Sequence, residues 1–147
     1  TLNYNIDNIL KDYKKTLTLN KLISKEIGKD LMFSYKRASN IISNEFKNNK
    51  IELTGSADLG LFKNEFEKIL YKKIHEIRKD FTNISIDGDY EGILKTLSLA
   101  KKEVNEFFDN VIVNDQDELI KKNRLELLQM LCKSFDNYLN FSKIESL

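Results

Sequence analysis

The sequence predicts an all-α fold, a bundle of about five helices. Two observations carry the prediction. Proline is absent and only 5 glycines occur in 147 residues, whereas turns and all-β folds use both heavily and helix interiors tolerate neither well. Apolar residues also recur with a period close to 3.6 almost throughout. Sandwiches, barrels, collagen-like sequence and proline-rich disorder are thereby excluded. At 41% hydrophobic and 32% charged, the chain has apolar residues enough for one core and a solvated surface. Its length suits a single helical domain over residues 1–147.

Ile6, Ile9, Leu10 and Tyr13 mark a short first helix. A second, longer one runs from about Asn20 to Phe46, with Ile23, Ile27, Leu31, Tyr35, Ala38 and Ile42 on one side. Gly28 inside it costs about 1 kcal/mol relative to alanine and marks a candidate bend. Asn48 to Ser56 reads as a loop. The third helix starts near Ser56 or Asp58, either of which can cap it. Its stripe is Leu59, Phe62, Phe66, Ile69, Leu70, Ile74 and Ile77. Asn83 to Asp89 reads as a turn around Gly88. The fourth helix carries Tyr90, Ile93, Leu94, Leu97, Ala100, Val104, Phe107 and Phe108. The link Val111-Ile112-Val113 leads to the cap candidates Asn114 and Asp115, and a fifth helix runs from about Asp117 to Phe141.

Charge is uneven. Residues 1–50 hold ten Lys or Arg against five Asp or Glu, while each later third holds seven against nine. A basic segment on a nearly neutral domain is either a solvated lysine-rich surface or a phosphate-facing one. A net charge of +1 sets up no global field toward DNA or an acidic membrane. A single cysteine and a single histidine argue for a reducing cytoplasm and against a Cys/His zinc site. No apolar run approaches the ~18–20 residues of a membrane span. Without a signal-peptide pattern, and with Thr1 in place of Met, the chain reads as a fragment of a longer protein.

Two places interrupt the apolar stripes. On the fifth helix, with Ile120 at 0°, Leu127 falls at about 340°, Leu131 at 20°, Phe135 at 60° and Leu128 at 80°, and Arg124 falls among them at about 40°. An arginine on a buried face must be paired, since a lone buried ion costs several kcal/mol. Asp109 is the preferred partner, because Asp117 serves the helix N-terminus. The other reading places Arg124 in a groove for phosphate or base contacts. With only three arginines against 21 lysines, each arginine position is informative. On the second helix, with Leu31 at 0°, Phe33, Asn40, Asn44 and Arg37 fall between about 180° and 240°, opposite the apolar face. Either this face packs on another helix or it is a mixed aromatic, amide and basic surface. The second form suits nucleotides: a ring stacks on a base, amides read base edges, and Arg or the adjoining Lys36 holds phosphate. The start of the fifth helix, Lys121-Lys122, is the next candidate for RNA contact.

Other candidates read as structure. His75 lies among charged residues, Cys132 at the edge of an apolar arc, and the pair Glu65/Glu67 has no neighbour to tune it. No phosphate loop, nucleophile elbow or metal motif is present, so catalysis within the fragment is not expected.

Three blocks carry a family resemblance. Val104 to Leu131 contains Phe107-Phe108-Asp109, Val111-Ile112-Val113, the acidic stretch Asp115 to Glu118, and Asn123-Arg124-Leu125. Tyr35 to Ile41 contains Lys36-Arg37-x-x-Asn40-Ile41, and the tail reads Asn140-Phe141-Ser142-Lys143-Ile144. In this order they resemble the C-terminal end of the bacterial glycyl-tRNA synthetase β chain family, over nearly the whole sequence. Two positions depart: Ile120-Lys121 stands where that family has Leu-Arg, and Gly92 where alanine is usual. The first weakens any argument for a bidentate arginine at position 121.

The resemblance implies a helical anticodon-binding domain of DALR type, non-catalytic in itself. It implies a glycine tRNA as partner and an α chain in an α₂β₂ ligase, with the ATP and glycine site on that chain and no cofactor here. Neither DNA nor a membrane is implied as partner. The residues alone leave two other classes open, a helical protein-interaction module and a small-molecule sensor bundle.

Overall fold

The computed structural model describes residues 25–81 and 90–138, together with Ile6, Asn8, Ile9, Leu10, Tyr13 and Leu17. These last six are helical, and Ile6, Ile9, Leu10 and Tyr13 of the expected first helix are exposed. The main elements are α1 (Glu26–Asn49), a 3-10 turn (Leu59–Leu61), α2 (Glu65–Asp80), α3 (Tyr90–Ser98), α4 (Lys101–Asn110) and α5 (Glu118–Tyr138). No strand occurs among the described residues, as the missing proline and the helical period require.

The centre of the bundle is α5, which is buried on almost every side. Ile120, Leu125, Leu127, Leu128, Leu131 and Phe135 are all at most 3% exposed. Its neighbours are α1, α2 and the 3-10 turn, while α3 and α4 each pack against both α1 and α2. Tyr35 of α1 stacks on Phe135 with ring centroids 6.1 Å apart, and its hydroxyl donates to Asp136 at 3.1 Å. Each large side chain taken fully out of water contributes about 1.5–3 kcal/mol. Cys132 is a buried core residue. His75 is exposed and makes a T-shaped contact with the Tyr71 ring.

Helix α1 runs unbroken through Gly28 and ends at Lys50, whose left-handed φ of 51° lets its N–H bond Phe46 O. Residues 20–24 of the expected second helix, the Asn83–Asp89 turn and the tail beyond Tyr138 lie outside the described residues.

Two helix boundaries differ from the sequence reading. The third helix starts not at Ser56 or Asp58 but at Glu65, where Asn64 caps it and Glu67 completes a capping box. Asp58 caps the 3-10 turn instead. The reason lies on α5. Glu126 accepts the N–H groups of Thr54, Gly55 and Ser56 at 2.6, 2.6 and 2.9 Å. One turn away, Asn123 accepts from Asp58 N and donates to Asp58 O, and Met130 Sδ meets Ala57 N. With its backbone donors so engaged, the segment has no call on helical bonding. Gly55 sits at φ +84° there, and a Cβ would stand 2.5 Å from Lys133 Nζ.

The expected fourth helix is two, α3 and α4, separated at Leu99–Ala100. Side-chain hydroxyls return to the backbone just before the break, Thr96 to Gly92 O and Ser98 to Lys95 O. The N–H groups of Leu99 and Ala100 then bond three residues back. Such local competition weakens helix continuation.

Candidate nucleic-acid interface

The outer face of α1 is open to solvent. Leu31, Tyr35 and Ala38 point into the core, and Phe33, Lys36, Arg37, Asn40 and Asn44 are all exposed on the far side. Phe33 is 68% exposed, and among the described residues no other helix covers its ring.

Arg37 and Asn44 form one wall of a groove of about 380 Å³, with Ile41 and Glu45 beside them and Phe108 and residues 111–114 opposite. The Arg37 guanidinium lies over the Phe108 ring, 4.2 Å from its centroid. This cation–π contact holds a flexible cation in place while its N–H edge makes no hydrogen bond to a described residue. Lys36, Phe33 and Asn40 share the helix face without lining the groove.

The opposite wall is tied to the core by Arg124. Its Nη1 donates to Ile112 O at 2.6 Å and to Asp115 Oδ2 at 3.2 Å. Nε and Nη2 lie 3.0 and 2.9 Å from Oε1 of Glu67, which is wholly buried. Arg124 is therefore a buried ion pair, as its place on the wheel suggests, but its partner is not Asp109. That residue is exposed at the end of α4, whereas Glu67 reaches across from α2. The signal for Glu67 was present: it precedes Leu70, Ile74 and Ile77 at helical spacing on the buried face. Asp117 does serve the α5 N-terminus, accepting from Leu119 N at 3.0 Å.

Lys121 and Lys122 part company. Lys122 is exposed, beside a separate groove lined by Leu119, Asn123 and Glu126. Lys121 is only 6% exposed, and its ammonium is 2.9 Å from Glu45 Oε2. It is a structural cation, unavailable to a phosphate. The wheel reveals this too, since Lys121 falls at about 100°, beside Leu128. Hydrogen bonds from Lys121 and then from Asn49 hold the Glu45 carboxyl below its ordinary value of 4.5, against an opposing effect of burial.

Arg78, the remaining arginine, bonds Ser134 Oγ and Met130 O and so also ties α2 to α5. Of the three arginines, only Arg37 faces solvent at the groove. Among the described residues no group of His, Cys, Asp or Glu is arranged to hold a metal ion. None of their helices is long and apolar enough to cross a membrane.

The DALR anticodon binding domain family matches residues 31–147, which include the whole exposed stripe and both walls of the groove. The chain belongs to this family. It is also similar to the glycine–tRNA ligase beta subunit of Rickettsia prowazekii, with 38% identity over 144 residues. The protein of the same name from Rickettsia typhi gives the same identity over the same length, and that from Rickettsia canadensis gives 38% over 130 residues. The first two alignments cover 97% of this chain and 21% of the relative, so the chain spans about a fifth of their length.

Proposed function

We propose that this chain is the anticodon-binding domain of a glycine–tRNA ligase β subunit and that it docks the anticodon end of a glycine tRNA. The observation behind this reading is the exposed α1 stripe of a DALR-family domain, Phe33, Arg37, Asn40 and Asn44, with Lys36 beside it. An aromatic ring, amides and cations on one open face are the groups that stack bases, read their edges and hold phosphate.

The role is positioning. Gripping the anticodon end fixes the tRNA as a rigid body, so that its acceptor end reaches a distant site and the entropy of orientation is met by binding. In this reading the chemistry, ATP-dependent ligation of glycine, belongs to the α chain of a cytoplasmic α₂β₂ assembly. This domain contributes no catalytic group and needs no cofactor.

Filter binding tests the reading. The full-length protein carrying the domain is compared on its glycine tRNA and on the same tRNA with its anticodon loop replaced. Loss of affinity with the replaced loop supports the proposal, and equal affinity for both refutes it.

A further inference from the structure

The groove between α1 and residues 111–114 carries more than affinity. Glu45 lines it, yet both hydrogen bonds to that carboxylate, from Lys121 and Asn49, fall on Oε2. Among the described residues nothing donates to Oε1. The side chains of Asn44 and Asn114 also line the groove without a hydrogen bond to a described residue, as does the N–H edge of Arg37. The groove thus offers an anionic acceptor beside amide and guanidinium donors, next to an aromatic ring.

Bases divide on this pattern. Cytosine and adenine present an amino donor beside a ring-nitrogen acceptor, uracil presents a carbonyl beside a ring N–H, and guanine presents a carbonyl, a ring N–H and then a second amino donor. A carboxylate fixed opposite the exocyclic position, with a donor fixed opposite the ring nitrogen, accepts from the amino group of cytosine or adenine and repels the carbonyl that uracil or guanine sets there. We propose that Glu45 is a specificity residue, and that the groove seats one unstacked amino-type base, cytosine or adenine, whose exocyclic amino group donates to Glu45 Oε1 while Asn44 donates to its ring nitrogen.

The inference rests on the tRNA reading above and adds base selection to it. Lys121 is then a positioning residue. By binding Oε2 from below it keeps the carboxylate ionised and leaves Oε1 for the ligand, consistent with the depressed titration of Glu45.

The test measures binding of anticodon stem-loops to the full-length protein, with cytosine exchanged for uracil, or adenine for guanine, at one anticodon position at a time. In the wild type one position prefers the amino base by about tenfold or more, the scale of one lost charge-assisted hydrogen bond. Glu45→Gln, which can both donate and accept, brings that ratio below about threefold. Asn44→Ala, at an exposed site, lowers the same ratio without moving the melting temperature, so the proposal stands or falls even if Glu45→Gln proves unstable. Arg37→Ala weakens every stem-loop. If stem-loops bind but Asn44→Ala, or a folded Glu45→Gln, keeps the wild-type ratio at each position, base selection by this groove is refuted and the tRNA reading survives. If the wild type binds none of them, both fall.

Discussion

Arg124 of α5 and Glu67 of α2 meet at a single oxygen, with Nε and Nη2 3.0 and 2.9 Å from Oε1. The same guanidinium reaches through Nη1 to Ile112 O at the rim of the groove. One side chain thus joins two helices in the core and fixes the backbone of an exposed loop.

Removing it strands a fully buried carboxylate. Arg124→Ala is expected to cost about 3–5 kcal/mol in urea unfolding, and Arg124→Lys a large part of that, because a lysine cannot reproduce the forked contacts. The double variant Arg124→Met/Glu67→Leu should lose less than the two single changes together, since neither charge then remains unpaired. Additive losses would show that the two groups do not share one interaction.

Glu126 makes a second test of a buried anion. It is 4% exposed and accepts the backbone N–H groups of Thr54, Gly55 and Ser56. Glu126→Gln turns an amide N–H₂ toward donors, so it should destabilise nearly as much as Glu126→Ala, by about 2–4 kcal/mol. Amide exchange at residues 54–56 is the readout. Those three N–H groups should lose protection, and retained protection would mean that the loop is held by other contacts.

Acid stability reports on Glu45. Its folded titration lies below its ordinary value of 4.5. The pair with Lys121 therefore contributes stability above that value, and the contribution is lost as pH falls through the folded pKa. Melting temperature should drop over this acid range in the wild type, and Lys121→Met should remove part of the slope. Identical slopes in both proteins would contradict the pairing.

Lys36 is exposed on α1. Lys36→Ala should weaken tRNA binding and lower the log–log salt slope by somewhat less than one unit, with melting unchanged. An unchanged slope with a large loss of stability would make this part of α1 structural.

Periodicity and composition reached most of the fold, because a 3.6 repeat is written along each helix. The 54–58 segment was illegible for the opposite reason. Its conformation is set by Glu126 and Asn123, some 70 residues away, and no local pattern encodes them. The α3–α4 break turns on hydroxyls at Thr96 and Ser98 within an uninterrupted apolar stripe. At the candidate site, the α1 stripe could be read from one helix alone. Its opposite wall, Phe108 and Ile112 to Asn114, and the partner of Arg124 needed the packing of three helices. The burial of Lys121 and of Glu67 is legible on the helical wheels, where Lys121 falls beside Leu128 and Glu67 in line with Leu70, Ile74 and Ile77.

The face of α1 is the centre of the account, and Phe33 and Arg37 carry it. Binding of glycine tRNA by the full-length protein should be compared with that of Phe33→Ala/Arg37→Ala. Both residues are exposed, so melting should change by little. Base stacking is worth about 1–3 kcal/mol by alanine substitution, so the dissociation constant should rise at least tenfold at fixed salt. Unchanged affinity in a normally folded variant would contradict the claim that this face meets RNA.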